Sequence, residues 1–380
     1  MKTGSTIPGD AAAPFDAAAL ANAAASRLRA YDPGHDLPTL RRRFGDVIAE
    51  LGSNENPLGP SPLAFAALRA AEAGVWRYPD PRGAALKAAL SRSLGVEAER
   101  IALGNGSHEL LMLLAQCFAD ATHSIVHSRY GFAVFPIATA ASGAQAIVVP
   151  ALPRDHPRAP FGHDLDAMAA AVTPDTRLVY LANPNNPTGT WFGDAALDAF
   201  LARLRRDVLV VVDEAYHEYV DAAELTTALR FAGRHPNLVV TRTFSKAYAL
   251  AGLRVGYLLA HPTVVGVIER LRESFNVNTL ALAAAEGALG DAAHLGRVRA
   301  SNRAARDALA RELDRRGFRC LPSQTNFLLV DCGRDAGEVE RHLFDRGVVV
   351  RPMAGYGLPQ TVRISIGSAA ENERLLAALP

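Results

Sequence analysis

Between residues 101 and 260 the chain alternates seven short aliphatic runs with stretches of helical periodicity. The runs are IAL at 101, SIVHS at 124, AIVVPA at 146, RLVYLAN at 177, VLVVVDEAY at 208, NLVVTRTF at 237 and VGYLLA at 255. Several are apolar on both alternating faces, a pattern that fits strands covered by helices on both sides of a largely parallel sheet. The intervening SHELLMLLAQCFAD (107–120) and DAALDAFLARLRRD (194–207) repeat apolar residues at three and four, as helices lying on such a sheet do. The expected architecture is α/β, with a seven-stranded, mostly parallel sheet.

The texture changes after about residue 272. An alanine- and arginine-rich helical region runs to Gly317, followed by three strand candidates, FRCLPSQTNFLLVD, GVVVRPM and TVRISIG, and a helix over 336–346. This predicts a large domain over 51–272 and a smaller α/β domain over 273–380, with residues 1–50 as an N-terminal arm that joins the small domain. No low-complexity linker separates them, so tight packing is expected.

Bulk properties narrow the function. A chain of 380 residues, 49% hydrophobic, with net charge +1 has none of the basic footprint of a nucleic-acid binder. Cys117, Cys320 and Cys332 are odd in number and lack CxxC spacing, so reduced thiols in a cytoplasm are expected rather than a disulfide framework or zinc site. His123 and His127 stand four apart without a clustered carboxylate, and no metal is expected. The N-terminal stretch lacks the order of regions of a signal peptide, and no apolar run is long enough to cross a membrane.

In open α/β sheets ligands collect at the carboxyl ends of strands. Asp213 ends one aliphatic run, where a carboxylate needs a cation opposite it, or else serves as a helix cap. LANPNNPTGT follows another, with side-chain amides suited to a polar ring substituent or to a tight turn. Gly104, Gly106 and Ser107 precede an apolar helix whose free N–H groups suit an anion, although the pattern is not GxGxxG. Of 40 basic residues only Lys2, Lys87 and Lys246 are lysines. An amine forms a Schiff base with an aldehyde and a guanidinium does not, which gives Lys246, in TRTFSKAYALAGLRVGY, a reason to be lysine. Arg254, two turns on if that segment is helical, is suited to clamping a phosphate.

Taken together, these motifs resemble the fold type I pyridoxal-phosphate enzymes, specifically the class I and II aminotransferases, over about residues 31–378. The resemblance implies pyridoxal 5'-phosphate as cofactor and Lys246 as the residue that carries it. Asp213 resembles the carboxylate paired with the ring nitrogen, and Asn186 and Tyr216 the pair holding the ring oxygen. Tyr130 resembles the aromatic stacked on the ring, with Phe132 competing. Gly106, Ser107, Ser245 and Arg254 match the phosphate cradle, with Thr243 a further candidate. Tyr78 resembles the tyrosine reaching the phosphate from a neighbouring subunit, which implies a homodimer with shared sites.

YDPG at 31, SNENPLGPSP at 53 and VRPMAGYGLPQTVRISIG at 350 are most similar to segments of histidinol-phosphate aminotransferases. That likeness implies a small-molecule amino donor and 2-oxoglutarate as substrates, with Arg363 binding the anionic group and Arg351, Tyr31 and Asn56 assisting. Aromatic amino acid aminotransferases and threonine-phosphate decarboxylases are the alternative readings. Aminotransferase-like transcription regulators need a DNA-binding domain, which the roughly 30 alanine-rich residues before Tyr31 do not supply. His108 stands where similar enzymes commonly carry aspartate.

Overall fold

The computed structural model describes residues 15–26, 28, 37–45 and 48–380. A two-residue strand, Ala49–Glu50 (β1), precedes the seven aliphatic runs. Each run supplies most of a strand: Ile101–Gly104 (β2), Ser124–Ser128 (β3), Gln145–Val149 (β4), Thr176–Ala182 (β5), Leu209–Asp213 (β6), Leu238–Thr243 (β7) and Gly256–Leu259 (β8). They form one sheet in the order β2-β8-β7-β6-β5-β3-β4. β4, β3, β5, β6 and β7 pair in parallel, and β8 is antiparallel to both its neighbours.

Burial on both faces explains the doubly apolar strands. Val210 and Val212 of β6 enter one core and Val211 the other, all at 0% exposure. In β5, Val179 and Leu181 alternate with Leu178 and Tyr180 in the same way. Helices Ala84–Leu94, Asp194–Arg203 and Thr279–Leu289 cover one face, and Ser107–Phe118, Val134–Ser142 and Pro262–Leu271 the other. Each fully buried aliphatic side chain contributes roughly 1.5–3 kcal/mol relative to exposure. Three such valines in succession carry Asp213 into the interior whatever its own desolvation costs.

Beyond this sheet lie Arg319–Cys320 (β9), Phe327–Asp331 (β10), Val348–Val349 (β11), Arg351–Pro352 (β12) and Thr361–Ser365 (β13). β9, β10, β12 and β13 make an antiparallel sheet ordered β12-β13-β10-β9, and β11 pairs in parallel with β1. Two expected single strands are therefore divided. FRCLPSQTNFLLVD folds back on itself, pairing Cys320 with Val330, because Pro322 has no N–H to continue a ladder. GVVVRPM changes partner after Val349: Val348 and Val350 fill a third core, under the small sheet, and Arg351 belongs on the opposite side.

That core lies between helices Ala292–Arg315, Ala336–Phe344 and Ala369–Ala378 and the face of the small sheet carrying Leu328, Val330, Val362 and Ile364. Alternation puts Arg363 on the other face, with Leu329 and Arg351 as its cross-strand partners. Among the described residues no helix is long and apolar enough to cross a membrane.

Candidate active site

Three parallel strands end side by side. β5 runs on into Asn186, β6 ends at Asp213 and β7 continues to Lys246, and a cavity lined by all three residues opens there. Asp213 is 4% exposed, and its Oδ1 accepts from Thr241 Oγ1 at 2.9 Å. That bond follows from register, since Asp213 and Thr241 are partners across β6 and β7. Burial pushes the Asp213 pKa up to about 7. A carboxyl this dry ionises readily only against a cation, so the cavity floor favours a positively charged group.

Lys246 faces the same space. Its Nζ donates to the Ser53 carbonyl at 3.3 Å and lies 5.9 Å from the Tyr216 ring centroid. Burial, followed by the charge of Arg363, brings its pKa down to about 8, so far more of the amine is neutral near physiological pH than in a solvated lysine. Tyr216, pushed up to about 12 by burial, accepts from Asn54 Nδ2 at 2.9 Å and Asn186 Nδ2 at 3.4 Å.

An anion cradle adjoins the amine. The helix Ser107–Phe118 starts at the cavity with Gly106 as its N-cap, at φ +81°. A Cβ on Gly106 would lie 2.5 Å from Arg254 Nη2, and one on Gly256 would lie 2.5 Å from the Ser107 amide nitrogen. Gly106 thus lets the helix terminus approach the guanidinium, and Gly256 lets it pack against β8. Arg254 donates to Ser245 Oγ at 3.4 Å, and Ser245 Oγ also accepts from Thr243 Oγ1 at 3.0 Å. Helix N–H groups, two hydroxyls and a guanidinium together suit a phosphate dianion. Arg254 belongs to no regular helix: it follows the 3-10 turn Ala251–Leu253 with φ +56°.

A further cationic group from the small sheet bonds to a residue of the cavity lining. Arg363 Nη1 donates to Asn186 Oδ1 at 2.8 Å and Nη2 to the Gly52 carbonyl at 2.6 Å. Arg351 is its cross-strand partner, on the same face.

The model of the family "Aminotransferase class I and II" matches residues 46–379. The chain belongs to this family. The aminotransferase is 47% identical to histidinol-phosphate aminotransferase 1 of Nitrosococcus oceani, covering 95% of this chain and 96% of that protein. Identity to histidinol-phosphate aminotransferase 2 of Pseudomonas aeruginosa is 48%, covering 96% and 98%. The crystal structure of histidinol-phosphate aminotransferase from Sinorhizobium meliloti in complex with pyridoxal-5'-phosphate superposes with a TM-score of 0.84 at 35% identity, covering 94% and 95%. A Thermus thermophilus aspartate aminotransferase mutant, 23% identical with a TM-score of 0.81, shares the fold.

In this aminotransferase Lys246, Asp213, Asn186, Tyr216, Ser107, Ser245, Thr243 and Arg254 all line one cavity. Of the two competing aromatics, Phe132 lines it, whereas Tyr130 packs edge-on against Phe161 at 5.4 Å beside the small sheet. Asn56 points elsewhere: its Nδ2 donates to the Ala247 carbonyl at 2.9 Å and its Oδ1 caps Leu58. Tyr78 is 82% exposed and stacks on Phe275 at 4.6 Å. Tyr31 lies outside the described residues. His108 lines the cavity, and burial and then the Arg254 charge lower its pKa.

Sequence reasoning passed over Asn54, Gly256 and the Glu214–Arg242 ion pair. Arg242 Nε and Nη2 donate to Glu214 Oε2 at 2.9 and 2.8 Å, immediately behind Asp213 and Thr241. The available signal was alternation: in DE and TR the neighbour of each cavity residue points to the opposite side.

Proposed function

We propose that this chain transfers the amino group of L-histidinol phosphate to 2-oxoglutarate, with pyridoxal 5'-phosphate as cofactor. The observation that carries the reading is the pairing of Lys246 and Asp213 in one cavity with an anion cradle, and with Arg363 bonded to the cavity-lining Asn186. The near-full-length identity to histidinol-phosphate aminotransferases supports the choice of substrate.

The residues present fit the cofactor. Gly106 lets the helix terminus and the Arg254 guanidinium close on one anion site, the dry carboxyl of Asp213 calls for a pyridinium proton, and Phe132 offers a flat apolar wall. When bound, pyridoxal phosphate supplies an aldehyde for the lysine and an electron sink for the substrate's α-carbon. Lys246 would hold the cofactor through its neutral amine and would move the substrate's α-proton as general base. Asp213 keeps the ring nitrogen protonated, Tyr216 and Asn186 hold the ring oxygen, and Gly106, Ser107, Ser245 and Arg254 bind phosphate. Arg363, assisted by Arg351 and Tyr31, binds the anionic end of each substrate in turn: phosphate of the donor, carboxylate of the acceptor. Asn56 acts on the Lys246 loop through Ala247 rather than on substrate.

The chain works in this reading as a cytoplasmic homodimer. Exposed Trp76 and Tyr78 form an aromatic surface suited to a second copy, with Tyr78 reaching the partner's cradle.

A donor panel with 2-oxoglutarate tests the proposal. Histidinol phosphate should give kcat/KM values well above those of phenylalanine, tyrosine and histidine. Phenylalanine as the better donor would overturn the substrate assignment, and carbon dioxide release without glutamate would overturn the reaction.

A further inference from the structure

The hydroxyl of Tyr216 accepts two hydrogen bonds, both from carboxamides: Asn54 Nδ2 at 2.9 Å and Asn186 Nδ2 at 3.4 Å. Neither amide is free to turn over. Asn54 Oδ1 accepts from Ser365 Oγ at 3.3 Å, and that hydroxyl oxygen in turn accepts the Asn54 backbone N–H at 2.8 Å. Asn186 Oδ1 accepts from Arg363 Nη1 at 2.8 Å. Each amide therefore presents its NH2 group to the phenol.

A phenolic oxygen has two acceptor positions and one hydrogen. Here both acceptor positions are filled, and no described residue accepts the hydrogen. The remaining direction leads into the cavity that Tyr216 lines. Both orienting groups come from one strand, since Arg363 and Ser365 are two residues apart on β13 and share a face. Asn54 is itself held in place. It is 1% exposed, adopts φ +57°, which asparagine tolerates, and its carbonyl accepts from Asn326 Nδ2 at 3.0 Å.

We propose that Asn54, oriented by Ser365, is a positioning residue: it completes a two-amide clamp that makes Tyr216 an obligatory hydrogen donor to the oxygen of the ring seated in the cavity. The inference rests on the cofactor reading above and extends it to two residues whose effect is exerted through Tyr216. Burial also keeps the phenol neutral across the working pH range.

The test is a pH titration of the visible absorbance of the holoenzyme, with melting temperature as a check on folding. A ring oxygen that loses its donor becomes more basic, so the midpoint should rise by about one pH unit in Asn54→Ala. Asn54→Asp keeps the shape but substitutes an acceptor that captures the Tyr216 hydrogen, and should shift the midpoint further. Ser365→Ala adds no charge, lets the Asn54 amide rotate, and should shift it in the same direction by less. A folded Asn54→Asp with the wild-type midpoint would overturn the clamp. If the Asn54 variants do not fold, an unmoved midpoint in Ser365→Ala overturns it. Wild-type protein that takes up no cofactor and shows no visible band would sink the cofactor reading itself, a separable result.

Discussion

Lys246 and Asp213 meet the same problem from opposite sides: each is an ionisable group that burial pushes toward neutrality. For Asp213 the sign of the effect on stability is fixed. Its folded pKa of about 7 lies above the unfolded value, so the folded state holds a proton the unfolded state has released, and stability falls as pH rises from about 4 to 7. Cofactor-free Asp213→Asn should therefore be more stable than wild type by up to a few kcal/mol at pH 8, with the gain fading near pH 4, as read by thermal melts at both pH values. The Thr241 hydrogen bond survives in this variant because an amide oxygen also accepts. Lys246→Arg keeps the charge but not a nucleophilic amine, and turnover should fall by more than about a thousandfold, with borohydride fixing no cofactor to the protein. The lysine was legible because it stands almost alone among arginines. Asn54 was not, because its importance lies in a hydrogen bond to Tyr216, 162 positions away, and the chain offers Asn56 as an equal candidate.

At the scale of elements, register does most of the positioning. Pairing of β6 with β7 sets Asp213 against Thr241 on the cavity side, and one residue on sets Glu214 near Arg242 on the far side. Arg242→Ala leaves the buried Glu214 carboxylate without its arginine, holding only the Thr227 and Ala228 hydrogen bonds, at a cost of roughly 3–5 kcal/mol, measurable by urea unfolding of the cofactor-free protein. The glycines act more locally. Gly106→Ala places a methyl group against Arg254 at a positive φ, and should weaken cofactor binding by at least about tenfold with a smaller effect on stability, as read by cofactor titration. Gly287→Ala does the reverse. A Cβ there would sit 2.5 Å from the Leu63 carbonyl, where helix Thr279–Leu289 crosses Pro62–Ala71, so about 1–3 kcal/mol of stability should be lost with cofactor affinity retained. Strands buried on both faces announce themselves as unbroken aliphatic runs. The β9–β10 hairpin and the β11–β12 break did not, because strands of two residues are defined by their partners more than by their composition.

For the whole molecule, the aromatic surface of Trp76 and Tyr78 leads to an expected dimer in sedimentation equilibrium. Tyr78→Phe should leave that association intact while loosening the cofactor several-fold, and a monomer that binds cofactor at full strength would count against shared sites. The sequence by itself determined the α/β class, the seven strands of the large sheet and the chemical identity of the amine, carboxyl and cradle groups, because burial pattern and residue chemistry are local properties. Tertiary structure alone decided that Phe132 rather than Tyr130 walls the cavity, that Asn54 rather than Asn56 meets Tyr216, and that Arg363 reaches Asn186 across the two sheets. Those outcomes depend on which distant segments approach within about 3 Å of one another. Such distances are fixed by the packing of the two sheets and their helices, which no short stretch of chain contains.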